Sequence, residues 1–499
     1  MKAIISLKYT GSGFLIPALL IFMLGAGSLF GQFEKEVECF SILVGKNATE
    51  NGEVLFAHNE DDWGDWVINW YKVPALNHKE GEKIRLKNGA EISQSPQTYS
   101  YLWLQMPGMQ FSDSYMNQWG VTVASDQCRS REDKGELTDG GIGFYLRRIM
   151  AERAKTAREA VKIAGALIDS LGYNYSGRTY CIADPQETWM MAVVKGKHWV
   201  AQRIPDDHVA VIANCYTIDE VNLSDTLNFL TGKNNIIDYA VKRGWYNPEE
   251  GKKFSFRESY AAPYTLKAIW NTPRFMTAVN KLSEKQYGYY DNIPFSFKPA
   301  KKVKKQDLMF ILANHLEGTD FESCGDKNPH FSSLSRICSP GNQYGFVTQL
   351  RDEMPAEIAF VMWIAIKRPC TQAFVPWYFG LQKIPADFTF ADWRTALKYH
   401  FSGFDWKKNT QGKAYWDYKK LSDYCDEDYY KRTERLKETK KRFENAYFSG
   451  QQDFERKFAD LYKKDKDLAI KLLQNYNRTA IMESLNNTRY MYKLLTKEN

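Results

Sequence analysis

The chain has no CxxC pair, no zinc-knuckle spacing, no HExxH and no GxSxG, and it carries only seven histidines in 499 residues. Those absences remove the familiar metallopeptidase, serine-hydrolase and paired-thiol constellations from consideration. It also lacks a concentrated basic stripe. The net charge of +7 is spread over dispersed lysines, and the densest patch, Lys301, Lys302, Lys304 and Lys305, reads as a solvated loop or helix entrance. No nucleic-acid-reading module accompanies it, so no nucleic-acid partner is expected. No metal and no organic cofactor is indicated. After the first thirty residues no segment is apolar enough to cross a bilayer.

What is present begins at the N-terminus. Lys2 and Lys8 precede an apolar run from Phe14 to Phe30 that ends in small residues, the pattern of a secretory signal over 1–31. An uncleaved anchor is the alternative; in either case the rest of the chain is expected to be exported. Glu36 and Glu38 do not suit signal peptidase, so the cut should fall near Ser28 to Gln32 and leave a short propeptide, 32–38, ahead of Cys39. Eight cysteines in an exported chain could form four disulfides. A free Cys39 leaves an odd number, and Cys324 with Cys338 is the first pair to test.

The hydrophobic content of 44% can bury a large core. Cys39 to Gly45 and Val54 to His58 read as two strands joined at Asn51-Gly52, with Asn59-Glu60-Asp61-Asp62 ending the second. Antiparallel pairing brings that polar cluster beside Cys39. Further strands are predicted at 120–124, 179–183, 188–194, 198–204, 208–213, 345–350 and 358–366. Helices are predicted over 141–154 and 156–171, the latter with a Thr156/Glu159 capping box and a Gly172 stop. Residues 254–290 and 306–317 look mainly helical. From 391 to 499 no proline occurs and apolar residues recur at helical spacing, so a helical C-terminal region follows a 39–390 body; it packs on that body or serves as a partner-binding arm.

Cys39 opens a strand just after a removable leader. A thiol attacks as thiolate, with a reference pKa of about 8.5. Cutting the bond before Cys39 would create an α-amine of reference pKa about 7.7–8.0, able to take that proton and return it to the leaving amine. Nucleophile and base then share one residue, and no histidine is required.

Those residues, Cys39-Phe-Ser-Ile-Leu-Val-Gly-Lys followed by Asn51-Gly52 and His58-Asn59-Glu60-Asp61, resemble the start of the C69 family of dipeptidases. That family belongs to the N-terminal nucleophile hydrolases, distant relatives of penicillin V acylase and bile-salt hydrolase. Met116-Asn117-Gln118-Trp119-Gly120-Val121, Ile182 to Glu187, Ala201 to Asp207, Ala213-Asn214 and His315 to Thr319 continue the likeness over about 39–385. The resemblance implies an α+β, four-layer αββα sandwich, here with a C-terminal helical appendage, and acyl transfer through Cys39. It implies that Asp61 bonds the nucleophile's amine, that Asn214 positions the nucleophile or the oxyanion, and that Arg336 matches a late arginine of the acylases. His58 stands where those relatives carry arginine. Glu60 or Asp62 would receive a peptide's ammonium, and Asn117 is a substrate-contact candidate that reads as well as a turn residue. Asn214 as a strand-end cap, Asp61 as a turn carboxylate, His315 and Glu317 as helix-end structure, and Trp63, Trp66 and Trp70 as core packing are the corresponding structural readings. Three functions follow: a dipeptidase on short peptides, an acylase on non-peptide amides, or an inactive surface binding protein. No stable membrane span after signal removal is expected, and a homo-oligomer is compatible with the sequence.

Overall fold

The structure, a computed structural model, describes residues 39–497 except 63, 109–112, 144, 323–327, 331–333 and 401–404. The expected signal and propeptide, Trp63 and Cys324 therefore lie outside the described residues. Strand β1 (Phe40–Val44) pairs antiparallel with β2 (Val54–Asp61), in the register Phe40↔Asn59 and Ser41↔His58. Both sit inside a six-stranded antiparallel sheet, in the order Val209–Ile212, β1, β2, Asn342–Leu350, Phe360–Ile366, Val375–Tyr378. A second sheet of eight strands runs Phe229–Thr231, Trp199–Ile204, Thr188–Gly196, Tyr173–Ala183, Thr122–Gln127, Ser114–Asn117, Tyr101–Gln105, Asn69–Val73.

Side-chain alternation assigns the layers. In the strand Tyr173–Ala183, Tyr180 and Ile182 pack with Val161, Ala164 and Ile168 of the helix Ala157–Leu171. Cys181 and Ala183 point the other way, into the space between the sheets, where Ser41 of β1 and Cys181 both reach Asp126. The neighbouring strand repeats the split, with Trp189, Met191 and Val193 toward the helices and Met190, Ala192 and Val194 toward the other sheet. Each such side chain contributes about 1.5–3 kcal/mol on burial. The outer face of the six-stranded sheet is covered by the helix Lys305–Leu312, against β2 and Asn342–Leu350, and by the C-terminal helices. The result is four layers, αββα.

The C-terminal region consists chiefly of three helices, Ala414–Asp426, Tyr429–Lys464 and Lys466–Lys497, in one compact unit with the sheets. It packs on the body as an outer layer. Arg351 holds Glu455 through two bonds of 2.8 and 2.9 Å, Gln451 reaches Gln349 at 2.9 Å, and Asn477 bonds both the Tyr378 N–H and the Pro376 carbonyl. Trp363 meets Phe448 with ring centroids 5.0 Å apart.

Three local expectations change. Residues 45–53 between β1 and β2 include a 3-10 turn, Lys46–Ala48, so the connection is longer than a tight Asn-Gly hairpin, although Gly52 does adopt a φ of 75°. The polar segment Asn59-Glu60-Asp61 continues β2 and pairs with Asn342–Leu350 across a bulge, because each side chain finds a partner inside the fold. The helix expected over 141–154 begins at Leu146, since Ile142 instead bridges Tyr173. Thr156 caps the next helix as expected, accepting from the Glu159 N–H, but the Glu159 carboxylate reaches back to Lys155 N.

Candidate active site

Cys39 immediately precedes β1 and is buried. Continuing the β1/β2 register sets it opposite Glu60. Its Sγ lies 3.4 Å from Glu60 Oε1 and 3.6 Å from the Asp61 carbonyl. Burial, then the negative charges of Glu60 and Asp126, push the thiol well above its usual range, against a smaller lowering by the Asp61 backbone. With its backbone nitrogen in a peptide bond, Cys39 is therefore a protonated, weak nucleophile at neutral pH.

Behind the thiol runs a buried chain of hydrogen bonds. The Ser41 hydroxyl donates to Asp126 Oδ2 at 2.6 Å and meets His58 Nδ1 at 2.8 Å, and His58 Nε2 meets Glu60 Oε2 at 3.1 Å. Ser41 and His58 thus link the two buried carboxyl groups of Asp126 and Glu60 in one hydrogen-bonded chain. Arg147 Nη1 stands 3.8 Å from the same Glu60 oxygen. Burial raises the Asp126 carboxyl, partly offset by His58 and Ser41.

Asp61, on the next residue of β2, is bonded by the Ser339 hydroxyl and by Asn342 Nδ2 at 3.2 Å. Gly341 is required beside it, since a Cβ there would fall 2.5 Å from Asp61 Oδ1. Asn214 follows the strand Val209–Ile212 in a left-handed conformation (φ 55°), which asparagine tolerates better than most residues. Its Nδ2 donates to the Gln127 carbonyl at 3.1 Å. Its Oδ1 accepts from Arg274 Nη2 at 2.9 Å, while Arg274 Nη1 donates to the Cys39 carbonyl at 3.2 Å. Arg274 is fully buried and also bonds Asn271 Oδ1. It locks the Cys39 main chain to Asn214, and the sequence reading missed it: one arginine in the first turn of the helix Thr272–Leu282 carries no motif.

The remaining expected residues are placed differently. Asn117 is occupied in the framework: its Nδ2 donates to the Ala151 and Ala154 carbonyls and its Oδ1 accepts from Trp119 and Val121 N–H groups. Its substrate-contact reading gives way to the turn reading. Asp62 bonds Gly341 through its backbone and is partly exposed. Glu60 is enclosed by the thiol, His58 and Arg147, which suits it less for a peptide ammonium than for charge control at Cys39. Arg336 is buried on the segment that reaches Asp61 through Ser339. Trp70 is core, stacked on Trp377 at 5.4 Å.

A cavity of about 350 Å³ includes Ala213, Cys215 and Asn271 in its wall and so adjoins the Asn214–Arg274 bridge. Arg257, Lys267, Glu258 and Asp291 also line it, giving charges of both signs in a space of small-ligand size. Among the described residues the seven cysteines are free, and Cys338 lies with Cys370, His315 and His330; Cys324, its suggested partner, lies outside the described residues. No described helix is long and apolar enough to cross a membrane.

The family model described as Peptidase family C69 matches residues 38–442. The chain is 25% identical over 356 residues to a probable dipeptidase of Latilactobacillus sakei, covering 68% of this chain and 74% of that one. It is 23% identical over 397 residues to dipeptidase A of Lactobacillus helveticus, covering 74% and 80%, and 24% identical over 392 residues to a dipeptidase of Bifidobacterium longum, covering 70% and 72%. Among solved structures, a mutant of the conjugated bile acid hydrolase of Clostridium perfringens overlays with a TM-score of 0.29 at 13% identity, over 66% of this chain and 89% of that one.

Proposed function

The chain belongs to peptidase family C69, and from that premise we propose that it is an exported dipeptidase whose nucleophile is Cys39, armed by removal of everything before it. The enzyme hydrolyses peptide C–N bonds, as its family and its relatives' names indicate. The observation that carries the finer reading is the placement of Cys39: first residue before β1, thiol between Glu60 and Asp61, main chain held by Arg274.

Cutting the Glu38–Cys39 bond replaces an amide nitrogen with an amine. That amine takes the thiol proton, and the resulting ammonium reverses the local charge that otherwise disfavours the thiolate. The thiolate adds to the substrate carbonyl, the tetrahedral intermediate expels the leaving amine with the ammonium's proton, and a thioester remains. Water, deprotonated by the same amine, releases the acid and restores the thiol. Arg274 and Asn214 keep the attacking residue from drifting, and the second N–H of the Asn214 amide, beyond the one given to Gln127, is assigned to the developing oxyanion. Asp61, fixed by Ser339 and Asn342, is assigned to the amine. The mixed-charge cavity suits a small zwitterion such as a dipeptide, with Lys267 or Arg257 for its carboxylate and Glu258 or Asp291 for its ammonium.

The test is intact mass of protein from its native host, combined with a dipeptide panel run beside N-acyl amides. A chain starting at Cys39 that cleaves dipeptides is expected. Full dipeptidase activity in a chain still acylated at the Cys39 nitrogen would refute the proposal.

A further inference from the structure

We propose that His315, His330, Cys338 and Cys370 bind one Zn²⁺ in a closed tetrahedral site that fastens the C-terminal helices to the sheet body. All four side chains are buried, and one donor atom from each lies within 4.8 Å of every other. His315 Nε2 and His330 Nε2 are 3.0 Å apart, and Cys370 Sγ and Cys338 Sγ stand 3.3 and 4.0 Å from His330 Nε2. Metal bonds of about 2.0–2.1 Å to nitrogen and about 2.3 Å to sulfur give tetrahedral edges of about 3.3 Å between nitrogens and about 3.6 Å between nitrogen and sulfur. The two nitrogen–sulfur spacings bracket their edge, and the nitrogen–nitrogen spacing of 3.0 Å is a little shorter than its own.

Proton bookkeeping points the same way. His315 Nδ1 is 2.8 Å from Glu317 Oε1, and His330 Nδ1 is 2.8 Å from Asp426 Oδ1. Each Nδ1 is thereby taken by a carboxylate, which leaves the two Nε2 atoms facing each other 3.0 Å apart, a contact that needs a proton or a metal ion between them. A carboxylate on the outer nitrogen of each ring is also the usual way a ligating histidine is oriented. Two thiols complete the donor set; on binding they release their two protons, and two thiolates neutralise Zn²⁺ in a dry interior. Two imidazoles with two thiolates in a tetrahedron select zinc over magnesium or calcium, which prefer oxygen.

The site joins distant parts of the chain. Asp426 ends the helix Ala414–Asp426, Tyr429 opens the next helix and lies edge-on to both imidazoles, and Arg368 holds Asp426 at 2.6 Å. Cys338 directly precedes Ser339, the residue bonded to Asp61. Zinc would thus anchor both the helical layer and the loop that fixes Asp61.

The full chain, purified without chelators or a chelating tag, should contain about one zinc per molecule by elemental analysis. Exchange into Co²⁺ should produce the visible and near-ultraviolet bands of a two-thiolate tetrahedral site. Cys338→Ser and Cys370→Ser should lose the metal, and Asp426→Asn should keep it with affinity about 10–100-fold weaker. Protein that lacks zinc, and after thiol reduction takes up neither Zn²⁺ nor Co²⁺, would overturn the assignment. So would a Cys338–Cys370 disulfide found by mass in the native protein.

Discussion

Cys39 and Cys370 are both buried thiols, yet their surroundings press them in opposite directions. Cys39 faces Glu60 and Asp126, and burial and both charges push its proton affinity up. Burial acts on Cys370 in the same sense, but the Cys338 thiol and the His330 and His315 rings outweigh it and draw the thiol well below its usual range. Burial alone therefore does not tell a reactive cysteine from a ligand; the sign of the neighbouring charge does. One thiol holds its proton beside the negative charges around it, while the other shares its shift with Cys338, which the same contact pushes upward.

Removing each thiol is the strongest way to break that contrast. Cys39→Ala should lower kcat on dipeptides by about 10⁶-fold, as loss of a nucleophile does, with zinc content unchanged. Cys370→Ser should instead lose the metal and melt earlier, with a kcat loss far smaller than that of Cys39→Ala, transmitted through Ser339 to Asp61. Asn214→Ala should reduce kcat by about 10²–10³-fold with a smaller change in KM, if its amide serves the oxyanion; an unchanged kcat would leave it a strand-end brace. Arg351→Ala leaves Glu455 only its bonds from Tyr378 and Gln451 inside the helical layer and should cost about 1–3 kcal/mol in denaturant unfolding, with little effect on KM. The smallest effect sharpens the electrostatics. Glu60→Gln in the unprocessed chain removes a negative charge beside Cys39, so the thiolate should form at lower pH. The 240 nm absorbance rise, taken as the difference from the matching Cys39→Ala chain, should shift downward.

The strand pattern, the helix from Ala157 and the approach of Asp61 to Cys39 were legible because they depend on local periodicity and one short loop. Arg274 was not, because nothing within its own turn distinguishes a buried bridge from a surface arginine; its partners lie far away in sequence. The His315, His330, Cys338, Cys370 group escaped because three members are spread over the long connection 313–341 and the fourth follows the strand Phe360–Ile366, with no motif spacing. Asn117 carried both a substrate-contact and a turn reading, since the asparagine that best satisfies a buried turn looks in sequence like one that greets a substrate.

Asn477 has a consequence beyond fastening a helix. The strand Val375–Tyr378 is the last of its sheet, and such a margin invites another chain to add to it. By taking the Tyr378 N–H and the Pro376 carbonyl, Asn477 imitates one rung of a further strand. Pro376 has no N–H to offer a newcomer. Shortening the chain before the final helix would unmask this border, and the expected result is self-association into aggregates, visible by light scattering, ahead of any loss of secondary structure.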